Sequence, residues 1–143
     1  MSCCPVSLSS PGCRRIVAGF LTWLIPFAIA IPFYGPDGTP LVNIDLFKSL
    51  MIVVSAITAA LLIVWFFRSV KSGYTRAGIV TGIVWLFMNW ILDLVFLVGM
   101  LGMPLPAYAF QVGLRYLMIP AIVIAVGVVA DEAVRARGAK EKI

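Results

Sequence analysis

The amino-acid sequence predicts an all-α membrane protein: four transmembrane helices in an antiparallel bundle, with both termini inside. Three observations carry this expectation. Four long apolar runs follow one another, at residues 16–34, 46–67, 77–102 and 107–130. The chain is 62% hydrophobic and 12% charged, with a mean hydropathy of +1.08. Soluble domains are nearer about 45–50% apolar and about 25% charged. Finally, the basic residues are segregated. With both termini inside, Arg14, Arg15, Arg68, Lys71, Arg76, Arg135, Arg137, Lys140 and Lys142 all fall on the cytoplasmic side, Lys48 alone falls outside, and Arg115 sits within the fourth run. That asymmetry is the positive-inside pattern.

Residues 1–15 contain Ser, Pro and Cys, end in Arg14-Arg15 and show no helical period, so they read as a disordered cytoplasmic segment. Residues 16–130 are the transmembrane domain and 131–143 a mixed-charge cytoplasmic tail. The first run has 19 residues without a charge, close to the roughly 20 that cross a bilayer. Pro26 lies inside it and, lacking an N–H, is expected to kink the helix. Arg14-Arg15, an apolar stretch and Ala28-Ile29-Ala30 also fit a cleaved signal peptide. The run stays apolar through Phe33, beyond that cleavage point, which favours a retained helix.

Gly35-Pro36-Asp37-Gly38-Thr39-Pro40 is a cluster of turn formers. It leads into the second run, which closes on the aromatic belt Trp65-Phe66-Phe67 before Arg68. A short basic loop precedes the third run, which opens with Gly78 and Gly82 in GxxxG spacing. The two glycines share one helix face and form a candidate packing surface. Met103-Pro104-Leu105-Pro106 is short enough to force antiparallel neighbours. Pro120 is expected to kink the fourth run.

The polar residues within the apolar runs are the candidate site. Asp93 in the third run carries a cost of roughly 2.5–3.5 kcal/mol in a bilayer and requires a partner. Arg115 lies as far after Pro104 as Asp93 lies before it, which predicts an intramembrane ion pair across the last hairpin. Asn89 and Asp93 are four apart, as are Gln111 and Arg115, so each pair shares a helix face. Asn89, Asp93, Gln111 and Arg115 are therefore candidates for a substrate or ion path, or for a purely structural polar layer.

The chain contains no His. That excludes bis-His haem binding and removes the commonest neutral-pH general base and zinc ligand. Cys3, Cys4 and Cys13 precede the first run in a spacing that matches no standard metal site. No cofactor and no metal are expected. The basic rim is ordinary membrane topology and not a nucleic-acid surface. The expected partners are the lipid bilayer and either further copies of the chain or another membrane protein. The expected location is a prokaryotic cell membrane. Functionally, these features indicate a non-enzymatic membrane component: a subunit, scaffold or accessory protein. The alternative is a small oligomeric transporter or channel that uses the polar layer.

Overall fold

A computed structural model describes residues 10–100 and 102–140. The described chain is all helical. Helix α1 spans Pro11–Ala30 and continues as a 3-10 turn, Ile31–Phe33. Helix α2 spans Ile44–Phe67, and α3 spans Tyr74–Asp93 and runs on as a π-helix, Leu94–Met100. A short α4, Leu105–Gln111, and a 3-10 segment, Gly113–Leu117, lead into α5, Met118–Lys140. Four continuous stretches are long and apolar enough to cross a membrane: Pro11–Phe33, Ile44–Phe67, Tyr74–Met100 and Gly113–Lys140. The protein is thus a multi-pass helical membrane protein.

Local chemistry explains where these elements begin. Ser10 caps α1 by accepting the Cys13 amide N–H at 3.3 Å, and Pro11 occupies a first-turn position that needs no donor. The helix therefore begins at Pro11, within the expected disordered segment; residues 1–9 of that segment lie outside the described residues. The turn cluster closes with Gly35 N–H donating to the Thr39 carbonyl at 2.8 Å, and Gly38 adopts a positive φ of 71°. Asn43 then caps α2 by accepting the Asp45 N–H at 2.8 Å.

The N-terminus of α3 is capped by a different helix. Gly73 has no side chain to offer, and Asp131 of α5 supplies both oxygens. Its Oδ1 accepts the Tyr74 N–H at 3.0 Å and its Oδ2 accepts the Thr75 N–H at 2.7 Å. A carboxylate at this position also complements the partial positive charge of the helix N-terminus.

α3 is central. It packs most extensively on α5 and also against α1, which in turn packs on α2. Glycines permit the α3–α5 approach. A Cβ on Gly78 would lie 2.8 Å from the Val123 carbonyl oxygen, and one on Gly82 would lie 2.8 Å from Pro120 Cα. From the other side, a Cβ on Gly127 would lie 2.6 Å from the Tyr74 carbonyl oxygen. In a bilayer, where lipid is as apolar as leucine, such backbone proximity is a main source of helix association. The buried apolar core contains Ala18, Ile63, Phe66, Trp85 and Val123.

The two helix-interior prolines sit differently. Pro26 is within α1, whereas Pro120 lies in the first turn of α5, directly after the 3-10 segment. The fourth apolar run is thus three helical pieces of different pitch.

Candidate functional site

The polar residues of the interior meet between α1 and α3. Two consecutive residues of α1, Thr22 and Trp23, face two residues of α3 one turn apart, Asn89 and Asp93, and all four are buried. The Trp23 indole Nε1–H donates to Asp93 Oδ1 at 2.7 Å. Asn89 Nδ2 donates to Thr22 Oγ1 at 3.1 Å and to the Trp85 carbonyl at 2.8 Å. Thr22 spends its own proton on the Gly19 carbonyl at 2.6 Å.

These bonds fix the orientation of each group. A carbonyl only accepts, so the Asn89 amide must turn its nitrogen toward Trp85 and Thr22, leaving Oδ1 on the opposite side. An indole nitrogen only donates, so Asp93 Oδ1 is an acceptor. Aromatic rings pack around the donor, Trp23. Trp23 stacks on Phe27 with centroids 4.8 Å apart, and Phe96 of the π-helix lies 4.9 Å from Trp23. The phenols of Tyr108 and Tyr116 come within electrostatic range of Asp93, and the Tyr116 hydroxyl lies within hydrogen-bonding reach of its carboxyl group, short of full hydrogen-bond geometry at Oδ2.

The predicted ion pair does not form. Asp93 is 3% exposed and faces α1, whereas Arg115 is exposed on the outside of the bundle. Matching distances along the chain from Pro104 corresponds to equal depth only if both strands of the hairpin are regular α-helices. Here seven residues on the Asp93 side are π-helical, and the Arg115 side changes from a short α-helix to a 3-10 segment. The fourth span begins at Gly113, so Arg115 is near its end, at a depth from which a long cationic side chain reaches the headgroups. Gln111, the last residue of α4, is exposed as well. Of the four path candidates, the structure brings together Asn89 and Asp93, and leaves Gln111 and Arg115 apart from them.

Sequence reasoning missed Thr22, Trp23, Tyr108 and Tyr116 as members of this cluster. A signal existed. Trp and Tyr in an apolar run each carry one polar hydrogen that must find an acceptor when buried, and Asp93 is a buried carboxylate that offers one. The packing partners Gly19 and Gly127 were also missed. A Cβ on Gly19 would meet Trp85 Cδ1 at 2.6 Å.

At the end of the bundle that holds the basic loop, the aromatic belt receives the arginines of α1. Arg14 lies over the Trp65 ring at 4.9 Å, and Arg15 Nε donates to Thr81 Oγ1 at 2.9 Å. The Trp85 indole donates to the Arg15 carbonyl at 2.7 Å. Start of α1, end of α2, start of α3 and the Asp131 region of α5 are thereby gathered at one end.

Fold and site together define a four-span helical membrane protein with a buried polar cluster centred on Asp93. No protein-family model matches the chain, nor does any curated protein or solved structure.

Proposed function

We propose that this chain is a non-enzymatic component of a membrane, a subunit or accessory protein that works through its helix surfaces, with both termini in the cytoplasm. The observation that carries the proposal is the closure of the interior around the polar cluster: Asn89 is 0% and Asp93 3% exposed. A catalyst or carrier needs its reacting groups to meet substrate. By contrast, the outer faces are broad and apolar, as along α2, where Leu50, Ile57, Leu61 and Val64 are exposed. In a bilayer such a face meets lipid or another transmembrane helix. Retention of the first helix is part of the proposal. Its removal would strip Asp93 of its hydrogen bond from Trp23. The absence of His supports a role without acid–base chemistry.

The test is native mass spectrometry of the full chain released from lipid nanodiscs, paired with flux assays in proteoliposomes. A defined assembly, with itself or with a stoichiometric membrane partner, and no solute flux is the expected result. A protein that sustains saturable solute or ion flux across the vesicle membrane contradicts it.

A second reading, a small oligomeric transporter, is favoured by the unpartnered Asp93 Oδ2 and Asn89 Oδ1. An intramembrane ionisable residue commonly marks an ion or substrate path. In that reading Asn89 and Asp93 carry the site, and Gln111 and Arg115, exposed and apart from them, would have to be supplied to a shared path by another copy of the chain.

A further inference from the structure

Three buried side-chain atoms have no hydrogen-bond partner among the described residues: Asn89 Oδ1, Asp93 Oδ2 and Tyr108 Oη. Buried polar atoms are nearly always paired, and a cluster of exceptions calls for a physical reason. Asn89 and Asp93 are one turn apart on α3, and Tyr108 is within electrostatic range of Asp93. Their residues are 0%, 3% and 5% exposed.

The hydrogen bonds already made determine what is missing. The Asn89 nitrogen is committed to Thr22 and Trp85, and Asp93 Oδ1 to Trp23. What remains on α3 is a pair of acceptor oxygens. Such a pair repels an anion and is satisfied by positive charge. Arg115, the cationic side chain expected here, is exposed elsewhere. One buried carboxylate balances one positive charge, and a divalent ion would leave an uncompensated charge in a low-dielectric interior.

We propose that Asn89, Asp93 and Tyr108 form an internal binding site for one monovalent metal cation, Na⁺, with Asp93 Oδ2 and Asn89 Oδ1 as its principal ligands. Tyr108 Oη contributes a third oxygen. Occupancy neutralises the carboxylate and completes the hydrogen-bonding and charge needs of the cluster without Arg115. The adjoining π-helix, Leu94–Met100, fits the placement, because departures from regular α-helix recur beside functional groups. The proposal is independent of transport, since a resident ion needs no path across the membrane.

Binding to the folded state alone raises stability by mass action, so occupancy is read as a shift in Tm. The full chain in mild detergent is unfolded thermally at fixed ionic strength, with choline replacing Na⁺. A saturable rise in Tm with Na⁺ at alkaline pH supports the site and assigns Na⁺. A rise on acidification with no response to Na⁺ means that the carboxyl is simply protonated, and overturns the proposal. Asp93→Asn abolishes the Na⁺ response and Arg115→Gln retains it. Tyr108→Phe removes one unpartnered oxygen and keeps the ring, so it folds and shifts the half-saturating concentration several-fold. A Tm indifferent to Na⁺ overturns the proposal, as does an equal response in Asp93→Asn. Should Asp93→Asn not fold, an unchanged half-saturation in Tyr108→Phe overturns it.

Discussion

The indole of Trp23 donates to the carboxylate of Asp93 at 2.7 Å, joining the middle of α1 to the end of α3 across 70 positions of sequence. This bond changes the role of the acidic residue. An Asp paired with Arg115 would fasten α3 to the segment that follows it. Bonded to Trp23, it fastens α3 to the first helix instead. Closure of the bundle then depends on a long-range contact rather than on a local hairpin.

The glycine seam between α3 and α5 gives a direct packing test. Gly82→Ala places a methyl 2.8 Å from Pro120 Cα, and Gly127→Ala places one 2.6 Å from the Tyr74 carbonyl oxygen. Backbone cannot yield as a flexible side chain does, so each substitution is expected to destabilise by about 1–3 kcal/mol. Gly138→Ala, with nothing within 4 Å of the added carbon, is the control and is expected to be neutral or slightly stabilising. Reversible unfolding in mixed micelles measures all three; equal effects at Gly82 and Gly138 would refute close approach at the seam.

Asp131 is expected to act as the cap of a helix to which it does not belong. Asp131→Ala removes both acceptors from Tyr74 and Thr75 N–H. A measurable loss of stability is expected. Hydrogen exchange is the more specific readout, because the amides of Tyr74 and Thr75 should exchange faster while those in the middle of α2 stay unchanged. Protection that survives the substitution would show that another group caps α3.

Topology is the third prediction. Nine of the eleven basic residues group on the side assigned to the cytoplasm. A reporter fused after Ile143 is expected to behave as cytosolic, and so is one placed ahead of Ser2. Opposite locations for the two ends would overturn an even number of spans. Cleavage near Ala30 in the mature protein would overturn retention of α1.

The four spans were legible in the sequence because the cost of placing charge in lipid leaves long uncharged runs such as 46–67, and no packing detail is needed to see them. The end of α3 was not legible. No Gly or Pro marks the change from α- to π-helix at Leu94, and the residues involved are ordinary apolar ones. Counting from Pro104 therefore misplaced Arg115. The start of α1 was missed for a different reason: Ser10-Pro11 is a capping signature, but it stands among Ser, Pro and Cys that resemble an unstructured segment. At the candidate site, Asn89 and Asp93 were visible because polar residues stand out in an apolar run. Trp23 was not, because an indole is equally at home in lipid, in a core, or as a donor to a carboxylate.

The central claim is that Asp93 is held by Trp23 and not by Arg115, and two double-mutant cycles sharing one variant test it most directly. Trp23→Phe and Arg115→Gln are each combined with Asp93→Leu, the shared variant, and unfolding free energies are measured in mixed micelles. A hydrogen bond to a charged group is worth about 1.5–3 kcal/mol. The expected result is a coupling of that order between Trp23 and Asp93, with Arg115 and Asp93 additive within about 0.5 kcal/mol. Strong coupling of Asp93 to Arg115, together with additivity between Asp93 and Trp23, would contradict the account.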